Sequence, residues 1–379
     1  MRVLQFGRFW NEQYGGIERH VTLLGKGLAA QGIDIVNLVA ASGQKGSDET
    51  DGRYRLVQAP SFGTAYGMAM SPALVLKAWT LHREKPFDII HLHFPDPLSH
   101  LTSMLLPRNV PRVITWHSDI IRQKRLLALY KPFLQRIARQ ANALVAATQA
   151  HFDVSCQIPE DVLADRRHVI PYGLDYAPLA LKPHTTNLRH KLRALTKGRG
   201  LVFALGRHVY YKGFEVLIDA MQHTDAFLIL GGDGPLRAQH EQQAIALGVN
   251  DRVLFTGRIP EEDLAAYFHA CDVFCMPSVE QAEAFGLVQL EAMACGKPVV
   301  CTLLNNGVNI VNVEGETGLA VPVRDAKALA AAINQLIGDP LLCEHLGKQA
   351  RQRAAKNYSL EAMAQSHLEL YQNLLSTAR

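Results

Sequence analysis

Two glutamates, Glu283 and Glu291, stand eight residues apart around the turn Ala284-Phe285-Gly286. From Phe285 to Cys295 the only charge is Glu291, set among Leu287, Val288, Leu290, Met293 and small residues, the pattern of a buried helix. A lone carboxylate in such surroundings is costly unless hydrogen-bond donors, a cation or a ligand satisfy it. Ahead of it, the N–H groups of Phe285, Gly286 and Leu287 would open the helix as an anion cradle, with Glu283 on the incoming loop. Two carboxylates around an anion site suit a polyhydroxylated phosphoester. Taken singly, each also has an ordinary structural reading: Glu283 as an exposed loop acid, Glu291 as a partly buried charge paired with a lysine.

Three further groups of residues carry chemistry. The apolar run LVFALG leads into Arg207 and Lys212, five residues apart and followed by Gly213 and the helical pattern FEVLIDAM. An arginine that grips bidentately and a lysine acting as a point charge suit a diphosphate, and Gly213 permits close backbone approach. Such a pair is also common on surface loops; in the same half as Glu283 and Glu291 it completes a nucleotide-diphosphate-sugar site. Near the amino terminus, Gly15 and Gly16 lie between a strand and a helix start, where a ligand could approach, although an ordinary turn fits as well. His117 closes the strand pattern RVIT, where it could hydrogen-bond a sugar hydroxyl, carry a proton, or serve only the structure. The chain has no G-x-G-x-x-G, no G-x-S-x-G elbow, no G-x4-G-K-[ST] loop and no D-x-D pair, so nicotinamide or flavin enzymes, serine hydrolases, kinase-type ATPases and D-x-D metal-dependent transferases lose support.

These residues sit among short apolar runs that alternate with longer helical patterns, the signature of parallel sheets wrapped by helices. Strands are expected at Val3, Ile35, Asp88, Arg112, Ala143 and His168, and, after a Pro- and Lys-containing stretch, at Leu201, Ala226, Arg252, Asp272, Lys297 and Gly318. That is an α/β fold of two doubly wound domains, whose strand ends would meet a shared ligand cleft. A final amphipathic helix from Leu360 to Thr377 could pack back across the boundary, and Arg189 to Arg199 reads as a surface linker.

The 379 residues are 48% apolar and 20% charged, which suits two soluble globular domains. No run approaches the ~20 apolar residues of a membrane span, so a cytoplasmic location is expected. Six unpaired cysteines suggest reduced core thiols. Arg122, Lys124, Arg125, Lys131, Arg136 and Arg139 interleave with Leu126, Leu127, Leu129, Phe133, Leu134 and Ile137 in a basic amphipathic pattern, either a solvated helix face or a contact with anionic membrane at the inner face of the cytoplasmic membrane. Nothing resembles a nucleic-acid module.

Taken together, Glu283 and Glu291 with Phe285-Gly286, Arg207 with Lys212, the Gly15-Gly16 loop and Gly257-Arg258-Ile259-Pro260 resemble family 4 of the retaining glycosyltransferases, over essentially the whole chain. The resemblance implies the GT-B fold, with an acceptor domain of residues 1–175 plus helix 360–379 and a donor domain of residues 176–359. It implies that Arg207 and Lys212 hold the donor diphosphate, that Glu291 binds the ribose, and that Glu283 meets the transferred sugar beside the Phe285, Gly286 and Leu287 backbone. Arg258 and Ile259 would line the nucleobase pocket, His117 would lie by the sugar's hydroxyls, and Gly16 would offer its backbone to the phosphates. No enzymic nucleophile, cofactor or metal is then expected; the departing phosphate assists acceptor deprotonation. The stretches Thr115 to Arg125 and Tyr210-Tyr211-Lys212-Gly213 are similar to bacterial surface-polysaccharide mannosyltransferases, which implies GDP-mannose and a lipid-linked glycan acceptor. Gln281-Ala282 and Asn305-Asn306-Gly307 depart from the commoner pattern and leave the donor sugar and the acceptor contacts open. The competing readings are a UDP-sugar donor, a sugar-nucleotide epimerase on the same scaffold and a silent membrane-docked scaffold that binds nucleotide sugar.

Overall fold

Apolar runs bounded by turn residues become two parallel sheets in the computed structural model, which describes residues 1–9, 16–65, 68–120 and 124–377. Gly15 and Arg122 fall outside these residues, as do the side chains of Lys124 and Arg125. The chain divides into two compact units: unit 1 is Met1–Gly173 with Leu360–Arg379, and unit 2 is Leu174–Ser359.

Unit 1 carries β1 (Arg2–Phe9), β2 (Asp34–Ala40), β3 (Ser47–Asp51), β4 (Tyr54–Ala59), the small hairpin β5 (Thr64–Ala65) and β6 (Met68–Ala69), then β7 (Ile89–Phe94), β8 (Arg112–Trp116), β9 (Ala143–Ala146) and β10 (Arg167–Val169). The main sheet runs β10-β9-β8-β7-β1-β2-β4-β3, parallel except for β3 against β4. Every residue of β7, β8 and β9 is buried, as expected of central strands covered on both faces. The β3–β4 hairpin is absent from the sequence expectation because β3, SDETD, is almost wholly exposed and has no apolar alternation to detect. Its turn leaves one mark in the sequence: Gly52, in the acidic DETDGRY stretch, takes φ +58°.

The closing helix Leu360–Thr377 packs on unit 1, burying Met363, Ala364, Leu370 and Tyr371 in one cluster with Val3, Leu24, Ile35 and Ile89. The Tyr371 hydroxyl and His91 Nδ1 hydrogen-bond at 2.6 Å inside it.

Unit 2 carries β11 (Leu201–Leu205), β12 (Phe227–Gly231), β13 (Val253–Gly257), β14 (Val273–Met276), β15 (Val299–Thr302) and β16 (Gly318–Val321), all parallel in the order β13-β12-β11-β14-β15-β16. The expectation of a surface linker from Arg189 to Arg199 is corrected here: Arg189 and Arg193 belong to the helix Pro183–Leu195, and Arg193 pairs with Asp272 at 2.7 Å. All six cysteines are free thiols, with Cys271, Cys275 and Cys301 buried.

The strand order of unit 2 reverses between β11 and β14, so the loops leaving their carboxyl ends are neighbours. The Val279 N–H donates to the Tyr211 carbonyl at 2.8 Å, stitching the two loops. Gly213, at φ +65°, approaches so closely that an added Cβ would stand 2.0 Å from the Pro277 carbonyl oxygen. Gly213→Ala therefore combines a left-handed backbone with a clash against main chain. We expect it to cost about 1–3 kcal/mol and to lower the thermal midpoint of unit 2 by several degrees. Gly52→Ala, with φ +58° but nothing within 4 Å, should shift the unit 1 midpoint much less.

Candidate active site

The two loops at the β11/β14 switch point bring together most of the residues singled out in unit 2. Lys212 ends the first loop, and its Nζ donates to Glu283 Oε2 on the second; the side chains are 13% and 10% exposed. Ser278 Oγ donates to the same oxygen at 3.1 Å. Burial alone would lower the Lys212 ammonium, but the charge and hydrogen bond of Glu283 outweigh it and hold the group above the ordinary lysine value. Removing one partner of such a pair leaves a buried unpaired charge, a loss of about 3–5 kcal/mol in comparable sites. Arg207, on the same loop, is exposed, and its side chain makes no hydrogen bond or ion pair among the described residues, while its carbonyl accepts from the Val209 N–H at 2.8 Å. Its guanidinium is available to an anion.

After Glu283 the chain turns through Phe285, which is buried, and Gly286 at φ +70° into the helix Leu287–Ala294. The left-handed backbone favours glycine here, and an added Cβ would also lie 2.7 Å from the Met276 sulfur, so that flexible side chain would have to shift. The N–H groups of Leu287 and Val288 open this helix without an acceptor in a preceding turn and supply partial positive charge beside Glu283, while the Gln289 N–H donates to the Gly286 carbonyl at 3.0 Å. Glu291 lies on the second turn and is only 4% exposed. On the other side of β11, Arg258 is exposed at the end of β13 and Ile259 is buried, with its Cδ1 packed over Gly231 at the end of β12. Phosphate, ribose and base groups therefore have candidate partners along one edge of one sheet.

Residues that the sequence marked only as departures hold this edge in place. Asn306 Nδ2 donates to the Glu283 carbonyl at 2.8 Å and to Gln281 Oε1 at 3.1 Å, while Gln281 Nε2 donates to the Leu304 carbonyl at 2.6 Å. Thr302 Oγ1 donates to the Ser278 carbonyl. Ser278, Thr302 and Gln289, whose Nε2 donates to the Phe285 carbonyl at 2.7 Å, carried no sequence signal beyond polarity in an apolar setting.

In unit 1, Gly16 opens the helix Gly16–Ala30, and His117 follows β8. His117 is 5% exposed and both its nitrogens are engaged: Nε2 with His93 Nδ1 at 3.0 Å and Nδ1 with the Tyr172 hydroxyl at 2.6 Å. Gln5 Nε2, oriented by its bond to the Val21 carbonyl at 2.9 Å, donates to His93 Nε2 at 3.2 Å. That fixes the direction of the chain: His93 Nδ1–H donates to His117 Nε2, and His117 Nδ1–H donates to Tyr172. Burial, reinforced by neighbouring histidines, keeps both imidazoles well below their ordinary value. Nitrogens of His20, His93 and His117 lie within 4.8 Å of one another, a spacing that could hold a metal ion. The Gln5 bond, however, places a hydrogen on His93 Nδ1, so that nitrogen cannot ligate while the bond stands.

Comparison with known proteins identifies the family and the fold. The family descriptions "Glycosyltransferase Family 4" and "Glycosyl transferases group 1" match residues 14–177 and 187–353. The chain is 34% identical over 357 residues to the D-rhamnosyltransferase WbpZ of Pseudomonas aeruginosa, covering 93% of this chain and 91% of that one. It is 27% identical over 380 residues to the O-antigen chain mannosyltransferase C of Escherichia coli, covering 100% of each. Among solved structures, a sucrose-phosphate synthase from Thermosynechococcus elongatus superposes with TM-score 0.81 at 25% identity over 99% of both chains. Anabaena HepE in complex with UDP superposes with TM-score 0.76 at 22% identity, over 98% of this chain and 100% of that one. The chain is a glycosyltransferase with the GT-B fold and belongs to glycosyltransferase family 4.

Proposed function

We propose that the protein is a retaining, metal-independent transferase that moves a mannosyl residue from GDP-mannose to a lipid-linked glycan in bacterial surface-polysaccharide assembly. The observation that carries the reading is the Lys212–Glu283 pair beside the exposed Arg207 and the first turn of the Leu287–Ala294 helix. Arg207 grips the diphosphate bidentately, and Lys212, with one N–H on Glu283, presents its remaining N–H groups to a phosphate oxygen. Glu291 takes the ribose, Arg258 and Ile259 flank the base, and Glu283 faces the transferred sugar. The bond from the sugar's anomeric carbon to the diphosphate breaks, and the acceptor oxygen bonds that carbon on the same face. The acceptor proton passes to a phosphate oxygen of the leaving group. Positive charge fixed in place before reaction stabilises that leaving group, so no metal ion is needed to do so. Gly16 adds its backbone, and His117 contributes position rather than charge.

The name of the E. coli relative supports mannose, and that of the P. aeruginosa relative favours a second reading, D-rhamnose. The two sugars share the manno configuration and differ at C6, where D-rhamnose lacks the hydroxyl. Docking on anionic membrane at the cytoplasmic face is supported by the helix Lys124–Gln140, which exposes Leu129 at 75% and Phe133 at 48% alongside Lys131 and Arg136. No helix among the described residues is long and apolar enough to cross a membrane.

Glu283→Gln should lower kcat/KM by about 10²–10³-fold with little change in donor KM, whereas Arg207→Ala should raise donor KM by roughly 10–100-fold. Proton NMR of the product should show the donor's anomeric configuration, and chelator should leave the rate unchanged; an inverted product or an acceptor-independent product would refute the mechanism. In competition, GDP-mannose should outrun the 6-deoxy donor by about 10⁴-fold if the site bonds the C6 hydroxyl, and by about 10²-fold or less if it does not. A preference for the 6-deoxy donor would select the second reading. Leu129→Ser with Phe133→Ser should weaken sedimentation with phosphatidylglycerol vesicles by about tenfold or more while sparing turnover on a soluble acceptor.

A further inference from the structure

Six arginines of unit 1, Arg108, Arg112, Arg136, Arg139, Arg166 and Arg167, line one cavity of about 1030 Å³. The whole chain has a formal net charge of only +4, so this is a local concentration. Two acids, Asp165 and Glu369, share the wall, and Arg139 is paired outward with Asp161 at 2.8 Å. Arg112 is held by backbone, donating to the carbonyls of Ser103, Leu106, Pro107 and Val110. Arg166 donates to the Arg139 carbonyl at 3.1 Å. The side chains of Arg108, Arg136 and Arg167 make no hydrogen bond or ion pair among the described residues, and the Arg167 Nε is buried without an acceptor.

The exposed guanidinium groups of Arg108 and Arg136 line the cavity without an acceptor, and an anionic ligand would supply one. Burial, then the charge of Arg108, lowers Arg112, consistent with a cation cluster lacking its counter-charge. Arg112 opens β8, Arg167 opens β10 and Asn142 immediately precedes β9, so the cavity lies at the amino-terminal edge of the sheet. His117 follows β8 at the opposite edge. The cavity is therefore separate from the strand ends considered for sugar transfer within unit 1.

We propose that this cavity is a second anion site, taking a phosphate-bearing ligand through the Arg108, Arg136 and Arg167 guanidinium groups. Planar forks on several sides suit a phosphate monoester or diphosphate, which can accept bidentate bonds from more than one arginine. Two sources present that chemistry. A phospholipid headgroup is one, because Arg136 and Arg139 reach the cavity from the helix that exposes Leu129 and Phe133. A soluble phosphate compound is the other. The inference rests on unit 1 alone and not on the donor-site reading.

Titration calorimetry of the full chain with inorganic pyrophosphate tests it. The wild type should bind at two sites, one lost in Arg207→Gln/Lys212→Gln and the other weakened about tenfold or more in Arg108→Gln/Arg136→Gln. Both cavity positions are exposed, and unchanged thermal melting would verify that this variant folds. An Arg108→Gln/Arg136→Gln protein that titrates like the wild type overturns the proposal. If only the Arg207→Gln/Lys212→Gln protein titrates like the wild type, the cavity stands and the donor assignment falls. Sedimentation with phosphatidylglycerol vesicles then names the source, against Lys191→Gln/Lys348→Gln, which removes equal charge from exposed positions outside both the cavity and the Lys124–Gln140 helix. Weaker vesicle binding in the cavity variant than in this control identifies the headgroup, and equal binding identifies a soluble phosphate.

Discussion

A buried ion pair between Lys212 and Glu283 ties together the two loops that carry the candidate site of unit 2. The loops can meet because β11 and β14 are adjacent although two other strands intervene in sequence, a consequence of the sheet reversing direction at that point. They can approach because Gly213 has no side chain to strike the Pro277 carbonyl. The pair then imposes a condition on any ligand: an incoming anion must draw on the Lys212 ammonium without stripping Glu283 of its counter-charge. Arg207, exposed and uncommitted among the described residues, relaxes that condition by supplying a second cation. Ser278 relaxes it further by bonding the shared Glu283 oxygen.

The elements of this site were legible because each obeys a strong local rule. Apolar runs gave the central strands, glycines marked the sharp entries at Gly213 and Gly286, and a single charge in an apolar helix drew attention to Glu291. What escaped was the support. Asn306 bonds the main chain at Glu283 from across twenty-three residues, and Gln281 braces Leu304, contacts that leave no periodicity. They had stood out only as departures from a familiar pattern, whereas their physical work is to fix where Glu283 points. The edge strand Ser47–Asp51 escaped for a different reason: exposed and acidic, it is a strand by pairing with Tyr54–Ala59 and not by its own composition. The segment around Arg189 misled in the opposite sense, since charge density suggested a linker while Thr185 and Leu192 bury one face of a regular helix.

Unit 1 shows how context changes the meaning of a residue type. A histidine at the end of a buried strand invites a catalytic reading, yet His117 sits in a chain whose direction is set beyond its own neighbour by a glutamine amide. Gln5 donates to His93, His93 to His117, and His117 to Tyr172. Each imidazole is neutral, with one nitrogen giving and one receiving, and this is the arrangement that burial tolerates without an unpaired charge. Protonating His117 would put a second hydrogen opposite the one His93 already donates, at a site from which water is excluded. A proton released by an acceptor is thus poorly served by this ring while the chain is intact. The sequence could place His117 at the strand end; the neighbours that set its protonation come from β1, β7 and the segment after β10, and only the fold brings them together. A transferase that avoids charging this ring must send the acceptor proton to another group, and the phosphate oxygen freed as the donor bond breaks gains basicity at the moment the proton is released.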